Sequence, residues 1–129
     1  MAGNEGRGYG APSFKAAGDL SSYQYHFVYL TADNTVSVGT TANQDVIGIL
    51  MNKPDAAGKA ADVATVGQFA KLVLGNTITI GQEITNDANG HGVAVDAAGE
   101  YAGAKALQAG VVGDVIEVLV VSGDMAAAV

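Results

Sequence analysis

The sequence predicts a mainly β domain, a small β-barrel or β-sandwich with one short helix and an extended N-terminal arm. Three observations predict it. Short runs rich in β-branched and aromatic residues recur from Tyr23 to Val121, and clusters of Gly, Asn and Asp separate them at close intervals. Only residues 101–109 are built largely from good helix formers. Many short strands with turn signals between them are the pattern of a barrel or sandwich. At 129 residues the chain can hold one core but not two ordinary domains. It divides into an arm (residues 1–20), a single β-rich domain (21–122) and a C-terminal tail (123–129, GDMAAAV).

The arm is rich in Gly, Ala and Ser, and Pro12 opposes a helix there. Its Tyr9 and Phe14 are either anchors that dock on a neighbour or ordinary residues of a loose tail. Disordered segments are generally poor in aromatics, which keeps the anchor reading open. Residues 23–31 (YQYHFVYLT) form the clearest strand, with Tyr23, Tyr25, Phe27 and Tyr29 on one face. Asp33 and Asn34 supply a turn, and residues 35–38 return as the second strand of a hairpin. Residues 46–51 (VIGILM) are continuously apolar but too short for a helix, so they read as a strand buried on both sides. Gly48 within them marks a bulge or a close backbone approach.

Residues 62–66 and 70–74 are two further β-type runs around Gly67, followed by 77–80, 83–85 and 93–96, with the turn cluster Asn86-Asp87-Ala88-Asn89-Gly90 before the last of these. Residues 101–109 then carry the expected helix, with Ala102, Ala104, Ala106 and Leu107 as helix formers and Gly110 at the C-cap position. Residues 114–121 are a final, almost uninterrupted β-branched strand.

Composition narrows the functions available. Hydrophobic residues make up 49% of the chain but are mostly Ala and Val, tryptophan is absent and there are 18 glycines, so the core is assembled from small side chains and a monomer has little stability in reserve. Oligomerisation would relieve that shortfall. Thirteen acidic against six basic residues give a net charge of −7, which repels phosphate backbones and anionic lipid. Neither nucleic acid nor a membrane is an expected partner. The imbalance is local: from Leu72 onward seven carboxylates face one cation, Lys105, whereas Glu5 and Asp19 of the arm are balanced by Arg7 and Lys15.

The absence of cysteine excludes disulfides, thiolate metal sites and a cysteine nucleophile. No run reaches the roughly 18 apolar residues of a membrane span, and residues 1–14 lack the apolar centre of a signal peptide. The expectation is a soluble protein with no visible export signal.

No catalytic constellation emerges, and no cofactor or metal site is expected. His26 lies inside the aromatic strand, where a structural role is the natural one, and His91 sits between glycines with no second histidine at metal-ligand spacing. The turn at Asp87 suggests a calcium loop, but Ala98 stands where a twelve-residue loop needs its bidentate glutamate. The glycines of residues 6–10 (GRGYG) are not preceded by a strand or followed by a helix, so they are no dinucleotide fingerprint. Nucleophile elbow, Walker lysine and zincin helix are all missing. Asp114 and Glu117 are an odd number of residues apart on one strand, hence on opposite faces, and read as solvated edge carboxylates.

The back half resembles a known family. Val46-Ile47-Gly48-Ile49-Leu50, Ala70-Lys71-Leu72-Val73-Leu74, Ile78-Thr79-Ile80-Gly81-Gln82, the turn from Asn86 to Asp96, Ala104-Lys105-Ala106-Leu107 and Gly113-Asp114-Val115-Ile116-Glu117-Val118 are similar to the small decoration, or cement, proteins of tailed bacteriophage capsids. The likeness covers residues 45–121. It implies a β-rich, β-tulip-like, non-enzymatic subunit, commonly a homotrimer, on the outer surface of the virion. There such a subunit locks neighbouring copies of the major capsid protein together. It further implies that the arm reaches a capsid subunit by strand pairing or groove filling, with Arg7, Tyr9, Phe14 and Lys15 as the capsid-contact candidates. Three weak arms on one trimer would suffice, since later contacts become intramolecular. The alternative is a non-enzymatic β-sandwich binding module, carbohydrate-recognising or fibre-associated, against which the lack of tryptophan counts. An enzyme is the third reading and has no residue cluster in its favour.

Overall fold

The computed structural model describes residues 13–42, 44–96 and 100–121. These residues form ten strands in order: β1 (Ser13–Ala16), β2 (Phe27–Ala32), β3 (Thr35–Val38), β4 (Gly48–Leu50), β5 (Ala60–Ala64), β6 (Phe69–Val73), β7 (Glu83–Asn86), β8 (Gly92–Ala94), β9 (Ala104–Ala106) and β10 (Val115–Val120). The first five close into a barrel in the order β1-β3-β2-β4-β5, and the last five form a second sheet ordered β6-β10-β9-β7-β8. The mainly β architecture matches the expectation, as a barrel joined to a sheet.

The barrel explains the apolar run at residues 46–51. Its strands β2, β4 and β5 each give neighbouring residues to different cores. Val28, Leu50 and Val63 fill the barrel interior with Phe14, Ala16, Leu20, Val36 and Ala61. Phe27, Ile49 and Ala64 point the other way, into a second core with Leu72, Ile84, Ala104, Ile116, Val118 and Val120 of the sheet. A strand covered on both faces has no polar side to alternate with, hence VIGILM. Gly48 is the close approach expected there. A Cβ on it would stand 2.1 Å from the Ala64 carbonyl oxygen and 2.8 Å from Val63 Cγ1.

Three expectations are corrected. First, the described residues contain no helix: residues 101–109 hold a β-bridge at Tyr101 and strand β9. Alanines at 102, 104 and 106 are all buried while Lys105 is exposed, a period of two that suits an inward-facing strand as well as helix propensity suits a helix. Tertiary burial decides between them. Second, the arm does not extend to residue 20. Ser13–Ala16 is β1, parallel to β3 through Lys15↔Thr35 and antiparallel to β5 through Ser13↔Asp62, and these pairings close the barrel. Third, the aromatic strand begins only at Phe27. Tyr25 has φ 68°, a left-handed conformation no strand contains, and residues 23–26 form a turn that delivers His26 to the junction with the sheet.

The hairpin at Asp33-Asn34 is as expected, with Asn34 at φ 53°, where asparagine is tolerated. Residues 77–80 reduce to one bridge, Ile78↔Gly110. That bridge keeps the register of Ile84↔Ala104 on the same two chain segments, so the pairing resumes in phase beyond the turn at Gly81.

Candidate assembly surfaces

Of the four contact candidates from the sequence, Arg7 and Tyr9 lie outside the described residues. Phe14 does not project outward: at 8% exposure it is part of the barrel interior. The role of exposed anchor does not fit that position, because β1 alternates and Phe14 and Ala16 take its inner face. Lys15, between them, is on the outer face and exposed. The structure therefore places these two neighbours on opposite sides of the barrel wall.

The histidines meet at the junction of barrel and sheet. The His26 ring stands 4.8 Å from that of His91, tilted by 48°, and Tyr23 meets it edge-on at 5.4 Å. His26 Nδ1 is 3.0 Å from the Gln24 carbonyl, which fixes it as the protonated nitrogen of the neutral ring. Burial, more than any other cause, holds its pKa below the ordinary histidine range; the neighbouring His91 acts in the same direction, and the Gln24 and Tyr23 carbonyls and Asp87 oppose it. His91 Nδ1 lies 3.5 Å from Asp87 Oδ2. The other oxygen of Asp87 accepts from the backbone N–H groups of Asn89 (2.8 Å) and His91 (2.9 Å), so this carboxylate shapes the 87–91 turn. Phe27 N–H donates to the Gly90 carbonyl at 2.8 Å, tying the turn to the barrel.

Beside it Asn86 is buried and fully used: Oδ1 accepts from Gln44 N–H, and Nδ2 donates to the carbonyls of Thr41 and Asp87. The arrangement positions backbone and offers no nucleophile with a base. The sequence missed it because pairing of residues 26 and 91 is a product of topology.

The exposed apolar surface lies elsewhere. The outer side of the second sheet carries Phe69, Lys71 and Val73 on β6, opposite Leu119, Glu117 and Val115 on β10, with Lys105 on β9 opposite Glu83 on β7. Phe69 is 75% exposed, and Val66, Ile80, Val111 and Val112 are each more than half exposed around the same sheet. A cleft of about 230 Å³ opens between this sheet and the barrel, lined by Tyr25, Met51, Phe69, Ala70, Lys71 and Glu117. A second cleft, of about 240 Å³, lies on the barrel between Leu30, Asp45, Val46 and Ile47.

No protein-family model and no curated protein sequence matches the chain. Among solved structures it is similar to the head fiber gp8.5 N base of bacteriophage phi29, with a TM-score of 0.68 at 15% sequence identity, covering 91% of this chain and 97% of that one. The two share a fold along nearly their whole lengths.

Proposed function

We propose that this chain is a non-enzymatic structural component of a bacteriophage head, binding the outer surface of the mature capsid and stabilising it by bridging major capsid protein subunits as a homotrimer. The observation that carries the reading is the shared fold with a phage head fiber base, end to end, in a chain whose back half also resembles capsid decoration proteins. The geometry is consistent with it. The described polar clusters are spent on turns and on the barrel–sheet junction, while apolar side chains stand exposed around a rigid sheet. Large exposed apolar patches on β proteins mark contact surfaces.

The test is cosedimentation of purified protein with expanded phage capsids of the matching host virus, followed by heat or chaotrope challenge. Binding together with raised capsid resistance supports the bridging role, and absence of binding refutes it. The fibre-associated alternative is favoured by one specific point, that the similar structure is the base of a fibre. On that reading the protein binds capsids without raising their resistance.

A further inference from the structure

The hydrogen-bond pattern of the second sheet singles out one strand edge. On β6 the even-numbered residues face β10: Leu74 N–H donates to the Asp114 carbonyl at 2.8 Å, and the Gln68 carbonyl accepts from Val120 N–H at 2.9 Å. The odd-numbered residues therefore aim their backbone groups away from β10. Val73 N–H finds the Tyr25 carbonyl at 2.9 Å, whereas the N–H and C=O groups of Phe69 and Lys71 meet no partner among the described residues.

The other outer strand is treated differently. On β8 the Gly92 carbonyl accepts from Gly75 N–H at 2.7 Å and Ala94 N–H donates to Asn76 Oδ1 at 3.2 Å, so that edge is covered. The barrel, being closed, has no edge. The open edge at Phe69 and Lys71 lines the cleft whose other side is Tyr25 and Met51.

We propose that this edge accepts residues 5–10 of a second copy of the chain as an added strand. The segment reads Glu5-Gly6-Arg7-Gly8-Tyr9-Gly10. Extended, it places Gly6, Gly8 and Gly10 on one face and Glu5, Arg7 and Tyr9 on the other. A strand laid along β6 lies in the cleft against Met51 and Tyr25, where a face of bare glycine lets the backbones approach closely. Its other face carries Glu5, which set beside Lys71 makes a cross-strand pair of opposite charge, with Arg7 and Tyr9 continuing along the edge past the exposed Phe69.

Length assigns the strand to another copy. Ser13 pairs with Asp62, and the Asp62 carbonyl accepts from Met51 N–H. The cleft is therefore about three strand spacings, some 14 Å, from Ser13 over the surface. The three residues from Gly10 to Ser13 reach only about 11 Å. The inference rests on the reading of this chain as an assembling subunit and names the contact.

Sedimentation of the full-length protein over a range of concentrations tests it. Wild type is expected to self-associate. Lys71→Pro removes an N–H that the fold leaves unpaired, at an edge-strand position where proline is tolerated, together with the lysine charge for which Lys71→Ala is the control, and Gly8→Val puts a branched side chain on the cleft face of the segment. Each is expected to weaken association by about tenfold or more, the loss of one to two hydrogen bonds or their steric equivalent. Lys71→Ala keeps the backbone donor and is expected to change it by about threefold or less. A monomeric wild type, a folded Lys71→Pro protein that associates as tightly as wild type, or a Gly8→Val protein that does so, overturns the proposal. Capsid cosedimentation is read separately and can succeed when this association fails.

Discussion

Replacing Gly48 by alanine tests how the barrel wall is held together. The added Cβ would lie 2.1 Å from the Ala64 carbonyl oxygen, 2.8 Å from Val63 Cγ1 and 3.0 Å from the Ala64 carbonyl carbon. Two of these atoms are backbone, so no rotamer change relieves the contact. Restoring van der Waals distance requires β4 and β5 to part by about 1 Å or more. The ladder between them, Ile49↔Ala64 and Leu50↔Val63 continued by Met51 N–H to the Asp62 carbonyl at 2.7 Å, cannot stretch that far and remain hydrogen-bonded.

Overpacking strain of about 1–3 kcal/mol and one or two weakened hydrogen bonds at about 1 kcal/mol each total about 2–5 kcal/mol. For a chain of this size that lowers Tm by roughly 7–18 °C. Urea titration and thermal melting followed by far-UV circular dichroism measure both. Gly18→Ala is the control: nothing lies within 4 Å of its Cβ position, and the change is expected to be neutral or to stabilise by up to about 1 kcal/mol. A Gly48→Ala protein within about 1 kcal/mol of wild type would refute the tight β4–β5 contact.

Phe14→Ala, which empties part of the barrel, is expected to cost about 3–5 kcal/mol in urea titration. Phe69→Ala, on the exposed face, is expected to change stability by about 0.5 kcal/mol or less, and equal losses would reverse their assignment to core and surface. Asn86→Ala leaves the Gln44 N–H and two carbonyls without their buried partner, an expected loss of about 2–4 kcal/mol by thermal melting; a neutral result would mean that Asn86 does not organise the loop. For pH, burial lowers the folded-state pKa of His26, so the unfolded chain takes up that proton first. Its contribution is complete above about pH 6.5 and is lost as pH falls from there toward the lower folded value. Urea midpoints between pH 7.5 and 5.5 should drop in wild type and drop less in His26→Gln; identical slopes would show that His26 is not responsible.

Much of the strand pattern was legible because burial imprints a period on it. Val63 with Ala61, and Ile116 with Val118 and Val120, alternate as a half-buried strand must. The run at residues 46–51 was readable for the opposite reason, since both of its faces are covered. The alanines at 102, 104 and 106 misled because alanine favours helix in isolation, while burial of all three sets them in an inward-facing strand; Gly103 between them has no room for a side chain, its Cβ position standing 2.9 Å from the Phe27 ring. Strand β1 carried its own signal in Phe14, Lys15 and Ala16, but the surrounding glycines and Pro12 obscured it. Neither the left-handed Tyr25 nor the contact of His26 with His91 leaves a local trace. Both follow from where distant segments come to rest.

The two cores share a wall, and this bears on what the molecule can do as a building block. Phe27 and Val28, Ile49 and Leu50, and Val63 and Ala64 are consecutive pairs split between the cores, so neither half can loosen without pulling on the other. A body held in this way keeps its surface fixed, and association need not supply energy to order it. Among the described residues, seven of the eight exposed large hydrophobic side chains, all but Leu30, fall between Val66 and Val115, in the same half that concentrates the carboxylates. An acidic half turned wholly toward solvent, as the charge distribution suggests, would leave those residues in water. Lys71 opposite Glu117 and Lys105 opposite Glu83 resolve the conflict, because they neutralise part of that acidity on the sheet face where Phe69 and Val115 stand. The second sheet is thus the half whose surface suits contact with another protein, and its unpaired edge at Lys71 lies on the border of that surface.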